Sequence, residues 1–222
     1  MRRIIIVGSN VYAAMLHDYL IDNPEYEIAA FTVEREYICT SSFLDLPLVA
    51  FEDIDREYPP DSCSLLLGVG YSQMNSVKER LYNLYKSKKY SFATYSHPSA
   101  VIPKDISLGE GNVFFEGTIV QRGCHIGNGN VFFAKTLIAH DCKIGDFNSF
   151  SDASVAGNVV IKNRCFIGMG SVIAENKLIE DRVFIGANSY VNTNMEEGWM
   201  SLGTKSKIIK SDISDRIIDW DS

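Results

Sequence analysis

The stretch Leu137–Asp146, LIAHDCKIGD, sets His140, Asp141 and Cys142 side by side in a segment that otherwise alternates like buried strand. Four readings suit such a triplet. A lone imidazole can act as a base. An imidazole near a thiol can activate a nucleophile. The three together can ligate a metal. They can also be ordinary residues at the rim of a core. Contiguous residues lack the C-x-x-C or H-x-x-x-H spacing of zinc sites, so no metal is expected. Of the other histidines, His17 lies in a helical pattern and reads as packing or surface. His97 precedes Pro98 at a junction and reads as a cap, and His125 is offset by fifteen residues from His140.

The elements that must carry the triplet follow a period of six. From Ile102, every sixth residue is large and apolar: Leu108, Phe114, Val120, Ile126, Phe132, Ile138, Ile144 and Phe150. One interval shortens to five, giving Val155, and the step resumes through Ile161, Ile167, Ile173, Ile179, Ile185 and Val191. Neither helix nor simple strand has this period, whereas hexapeptide repeats mark a parallel β-helix. Three hexapeptides make one triangular coil with the apolar residues inward, and about five coils are expected from these repeats. Gly109, Gly127, Gly145, Gly168 and Gly186 follow apolar positions and are expected to supply the corners. Cys124 and Cys142 are eighteen residues apart and should stack, with Cys165 extending the column a coil later. That gives Cys142 an architectural place and leaves His140 and Asp141 to be explained.

The first part of the chain obeys another rule. RRIIIVG, YEIAAFTV, SCSLLLGVG and FATYS read as strands, and VYAAMLHDYLI and SVKERLYNLYKSK as helices. This alternation predicts a parallel α/β sheet covered by helices. Ligands of such sheets sit at the carboxyl ends of the strands, here Gly8–Asn10, Thr32–Glu34 and Gly70–Gln73. Asn10 stands where a dinucleotide fingerprint needs its middle glycine, which argues against a nicotinamide or flavin cofactor.

Bulk properties remove other classes. The 222 residues are 46% hydrophobic and 22% charged, with a net charge of −7, a globular and acidic composition. The only basic runs, Lys86–Lys89 and Lys205–Lys210, are short, so a nucleic-acid partner is not expected. No apolar run reaches the ~18 residues of a membrane span. The four-residue apolar run in MRRIIIVGSN reads as a strand rather than a leader, and the five cysteines are then expected as reduced thiols in a cytoplasm.

IIIVG at the start, HPSA (His97–Ala100), the hexapeptides and AHDCKIGDF together resemble the bacterial nucleotide-aminosugar N-acetyltransferases and their sialic acid O-acetyltransferase relatives, over about residues 3 to 205. The resemblance implies an α/β plus β fold. A Rossmann-like nucleotide-sugar domain over 1–97 precedes a left-handed parallel β-helix over 98–205, and 206–222 form a tail. It implies a homotrimer with acetyl-CoA bound in grooves between neighbouring β-helices and no metal.

By position in the motif, His140 is the general base and Asp141 the acid that orients it. Gly157 in VAGN matches a backbone N–H that holds the oxyanion, and Met169 and Ala187 match the CoA channel. Ser149 stands where many relatives have a second histidine that contacts the cofactor, and Phe133 where an asparagine is common. GTKSK (Gly203–Lys207) replaces the usual Gly-Asn-Pro-Ala-Lys, with Lys205 and Lys207 placed to meet CoA phosphates. The nucleotide-sugar falls to Gly8, Asn10, Glu34, Gly70 and Tyr71. The expected reaction is acetylation of an amine, at C4 of a dideoxy-aminosugar, for a surface glycan such as O-antigen. Acetylation of a sugar hydroxyl, or a degenerate scaffold without activity, are the alternatives.

Overall fold

A computed structural model describes residues 1–205. The expected tail, 206–222, and Lys207 lie outside the described residues.

The N-terminal sheet contains β1 (Arg2–Val7), β2 (Tyr26–Val33), β3 (Ser42–Phe43), β4 (Leu46–Ala50) and β5 (Ser64–Leu67) in the order β3-β4-β2-β1-β5. All pairs are parallel except the β3–β4 hairpin. Three α-helices lie in this part: α1 (Val11–Leu20), the short α2 (Ile54–Glu57) and α3 (Ser76–Ser87). Alternation along β1 builds both layers. Ile4 and Ile6 pack with Ala13, Leu16 and Leu20 of α1, whereas Ile5 and Val7 pack with Leu81 and Tyr85 of α3. The expected α1 and α3 match to within a residue.

β4 was not expected. Pro47 interrupts its apolar run and has no N–H to donate, so it sits where β4 turns back along β3. The expected strand FATYS is divided. Phe92 bridges Leu65 of the sheet, but Tyr95–Ser96, β6, pairs with Val113–Phe114 and opens the β-helix.

From β6 onward two-residue strands wind into a three-sided prism. Face A carries Ser107–Leu108, His125–Ile126, Lys143–Ile144, Val160–Ile161 and Leu178–Ile179. Face B carries β6, Val113–Phe114, Val131–Phe132, Ser149–Phe150, Phe166–Ile167, Phe184–Ile185 and Met200–Ser201. Face C carries Ile119–Val120, Leu137–Ile138, Ser154–Val155, Val172–Ile173 and Tyr190–Val191. The chain runs A, B, C in each coil. Residues of the six-step series fill the interior, and Phe114, Phe132 and Phe150 stack with ring centroids 4.7 and 4.9 Å apart. The shortened interval leaves register intact, because Val155 still pairs with Ile138 and the missing residue is taken from the corner around Asp152.

Three expectations need correction. Leu108 is 39% exposed, since its coil is the first on face A and nothing stacks beneath it. Cys165 does not continue the Cys124–Cys142 column. Lys143 and Val160 are paired neighbours on face A, so the residue stacked on Cys142 is Val159, and Cys165 lies one corner further on, before Phe166 of face B. The corner glycines act by close approach rather than by unusual φ. A Cβ on Gly127 or Gly145 would come within 2.7 Å of a carbonyl oxygen of the next coil. Positive φ falls two residues later, at Gly111, Gly129, Phe147 and Arg164.

Face B is covered by the sheet domain, and Val113, Val131 and Ser149 are buried there. Among the described residues, no helix is long and apolar enough to cross a membrane.

Candidate active site

His140 and Asp141 occupy the edge between faces C and A. The tight corner puts Asp141 at φ 58°, a left-handed conformation that aspartate tolerates. Consecutive side chains consequently point the same way, and His140 Nδ1 lies 2.9 Å from Asp141 Oδ2. The pair is open to solvent, with side chains 64% and 62% exposed. The His140 N–H donates to Gln121 Oε1 at 3.0 Å and its carbonyl accepts from Asn158 N at 3.0 Å, which fixes the backbone beneath the ring.

Glycines in the adjacent coils leave room for this pair. A Cβ on Gly157 would lie 2.7 Å from both Cε1 and Nε2 of His140, so the imidazole rests against bare backbone. A Cβ on Gly123 would overlap the Asp141 carboxylate. An ionised carboxylate only accepts hydrogen bonds. Asp141 therefore selects the tautomer protonated at Nδ1 and leaves the Nε2 lone pair free, as a base requires.

Cys142, next in sequence, is fully buried. Its thiol donates to the Ala156 carbonyl at 3.2 Å, and the neighbouring Cys124 thiol together with burial pushes it far up from the ordinary value, so it is no nucleophile.

The residues expected at the cofactor separate into groups. Gly157 shares the C–A edge with His140. Met169 and Ala187 are exposed at successive B–C corners, on the opposite border of face C. Lys205 is exposed after the last strand of face B. Ser149 departs from expectation: it is buried on face B, where its hydroxyl donates to Asn75 Oδ1 at 2.7 Å and accepts from Lys78 Nζ at 3.2 Å. Its strand faces the sheet domain, away from the C–A edge.

At the carboxyl ends of β1 and β2 lies a cavity of about 250 Å³, lined by Gly8, Asn10, Glu34, Tyr37, Val77 and Arg80 among others. Gly8 has φ 122°, and a Cβ there would meet the Gly68 carbonyl oxygen at 2.6 Å. Asn10 caps α1, accepting from the N–H groups of Tyr12 and Ala13, and its Nδ2 donates to the Gly68 carbonyl. Its side chain thus shapes the loop and offers little to a ligand. Glu34 accepts from both terminal guanidinium nitrogens of Arg80, at 2.8 and 2.7 Å, which keeps its carboxyl below the ordinary range. Gly70 and Tyr71 do not line this cavity; the Tyr71 ring packs on Phe166 of the prism at 4.7 Å.

Arg80 and Tyr37 escaped the sequence reading. The one signal available was an arginine in the third helix able to answer the Glu34 charge, but helical spacing does not say which strand end it reaches. A second cavity, of about 290 Å³, lies where α1 meets the B–C edge and is lined by Tyr19, Glu116, Phe133, Asp152 and Met169 among others. Of the remaining histidines, His125 is exposed on face A, and the other two have structural surroundings. His97 Nδ1 accepts from the Ser99 N–H at 3.2 Å and caps the junction, and His17 packs against Phe31.

No family model matches the chain, and no curated protein matches it. Solved structures do. The acetyltransferase domain of PglB from Neisseria gonorrhoeae is 18% identical with a TM-score of 0.79, over 94% of this chain and 100% of that one. PerB from Caulobacter crescentus, solved in complex with CoA and GDP-perosamine, is 22% identical with a TM-score of 0.79, over 95% and 98%. WeeI from Acinetobacter baumannii is 21% identical with a TM-score of 0.79, over 94% and 100%. Likeness at this level defines the class of fold: a sheet domain joined to a three-sided parallel β-helix, over nearly the whole chain.

Proposed function

We propose that the protein is an acetyl-CoA-dependent N-acetyltransferase that acylates the C4 amine of a nucleotide-linked dideoxy-aminosugar, supplying a surface glycan such as O-antigen. One observation carries this reading: an oriented imidazole, His140 on Asp141, lies against the bare backbone of Gly157 at an open edge of the prism. Fold likeness to an acetyltransferase domain and to a protein solved with CoA and GDP-perosamine supports it.

The chemistry follows from the groups present. The substrate nitrogen attacks the thioester carbonyl, and His140 Nε2 takes a proton from that nitrogen. Among the described residues the Gly157 N–H has no backbone acceptor, so it is free to hold the oxyanion. The C–S bond then breaks, the thiolate takes up a proton, and the products are an amide and CoA thiol. Asp141 stabilises the imidazolium between these steps.

His140 with Gly157, and Met169 with Ala187, border the same face C from opposite sides. They line one groove only when an edge of one copy meets the other edge of the next, as in a homotrimer of left-handed β-helices. Face C suits such packing: Ile119, Leu137, Val172 and Tyr190 point outward in one register, and Ile119, Val172 and Tyr190 are exposed. In this reading the Rossmann-like sheet domain takes the nucleotide in the cavity of Gly8 and Glu34. The deciding assay follows free thiol from acetyl-CoA with UDP-, dTDP- and GDP-linked 4-amino sugars. Release above background with one of them is expected, and no release with any overturns the proposal.

A further inference from the structure

The seam between α3 and face B holds an amine that the transfer chemistry does not use. Lys78 is 1% exposed, and its Nζ donates to Ser149 Oγ at 3.2 Å. Ser149 Oγ donates to Asn75 Oδ1 at 2.7 Å, and Asn75 Nδ2 donates to the Cys165 carbonyl at 3.0 Å. These buried side chains form one directed chain from helix to prism, and only the lysine in it can carry charge.

Charged groups of the neighbouring elements are committed elsewhere. On α3, Glu79 pairs with Arg164, Arg80 with Glu34 and Lys86 with Glu110. On the prism, Arg164 also reaches Asp181, and Asp146 accepts from Asn128. The titratable neutral groups are Tyr82, bound to Glu110, Tyr85, bound to Thr32, and Cys165, whose thiol burial pushes up to about 12. Among the described residues Lys78 has no ion-pair partner. A buried ammonium with one hydroxyl for company is strongly disfavoured against the free amine. Burial accordingly lowers this amine to about 7.

The chain ends on a strained turn. Gln73, Met74 and Asn75 have φ of 50°, 51° and 62°, three successive left-handed residues that persist only when outside contacts hold them. Asn75 supplies those contacts and is the residue from which α3 departs. Other residues of α3, Val77, Arg80 and Leu81, form a wall of the cavity at the β1 and β2 ends.

We propose that Lys78 is a positioning residue: its uncharged amine holds the first turn of α3, and with it the Arg80 wall of the nucleotide cavity, against the prism. Protonation puts an unpaired charge into the seam and loosens that turn. The consequence for ligand binding rests on the reading of that cavity as the nucleotide site.

Hydrogen exchange of the 71–81 amides, followed from pH 8.5 to 6.0 in the full chain, tests the latch directly. Wild type should lose protection relative to Lys78→Met as pH falls toward the amine's midpoint near 7, by up to roughly tenfold per unit, and level off below it. Lys78→Arg, always charged, should be loose throughout or fail to fold. Calorimetry with UDP, GDP and dTDP as probes should show a dissociation constant that rises several-fold over the same range in wild type and stays flat in Lys78→Met. Parallel behaviour of wild type and Lys78→Met in exchange overturns the proposal. If no nucleotide binds at any pH, the nucleotide reading of the cavity fails, and the exchange comparison still decides the latch.

Discussion

In the prism, Phe114, Phe132 and Phe150 occupy the same place in successive coils, and each stacks on the one before. In the sheet domain, Ile4 and Ile5 are neighbours in sequence yet belong to different layers, one under α1 and the other under α3. Their candidate sites differ in the same way. His140 and Asp141 are consecutive residues that a corner turns toward one another. Glu34 and Arg80 are 46 residues apart and meet only because α3 packs back over the sheet. Short-range geometry builds a site that few substitutions can repair, whereas long-range packing builds one spread over several supports.

The predictions separate these two kinds of site. Replacing His140 by Ala should lower kcat/KM by roughly 10²–10⁴-fold, the usual contribution of a general base, without change in circular dichroism or assembly. An undiminished variant would remove His140 from the chemistry. Gly157→Ala presses a methyl group onto the imidazole and should cost on the order of 10²-fold in rate by misplacing it, again with the fold intact. Phe132→Ala empties the middle of a stacked column and should lower unfolding free energy by about 3–5 kcal/mol in urea melts. Coil-to-coil repetition spreads that loss along the prism, so exchange protection should fall at Phe114 and Phe150 before it falls in the sheet domain. Arg80→Ala should be the mildest change. A half-exposed ion pair contributes at most about 1 kcal/mol to stability, so the effect should appear as a higher KM for the nucleotide-sugar with kcat kept.

Acidity bears on the sheet domain through Lys78. Its folded value, about 7, lies below the ordinary lysine value of 10.5, so between these the unfolded chain binds the extra proton. Stability from this group is therefore present above the ordinary value and is lost as pH falls toward 7. Urea midpoints should rise with pH across that window in wild type, with a smaller rise in Lys78→Met.

Much of the prism was legible because a period of six is a local property that a count along the chain reveals. The same count placed His140 at a corner and Cys142 in the wall. It put Cys165 in the right place within its hexapeptide but on the wrong edge, because Cys165 follows Cys142 by 23 residues, one hexapeptide more than the 17 of the shortened coil. It missed the true task of the corner glycines, because close approach between coils is a contact and not a torsion. In the sheet domain α1, α3 and the strands β1, β2 and β5 were readable from their apolar patterns, but β4, an interior strand, was hidden by Pro47. Ser149 drew a cofactor role by its place in a motif and proved to be a link in the domain seam.

Sequence by itself determined the coil, the register of its interior and the adjacency of His140 to Asp141, since all three depend on residues near one another along the chain. Tertiary structure decided which glycines make room for the imidazole, which cation holds Glu34 and which amine is buried without a counter-charge. Those depend on surfaces brought together across tens of residues, where packing and desolvation, rather than local conformational preference, set the outcome.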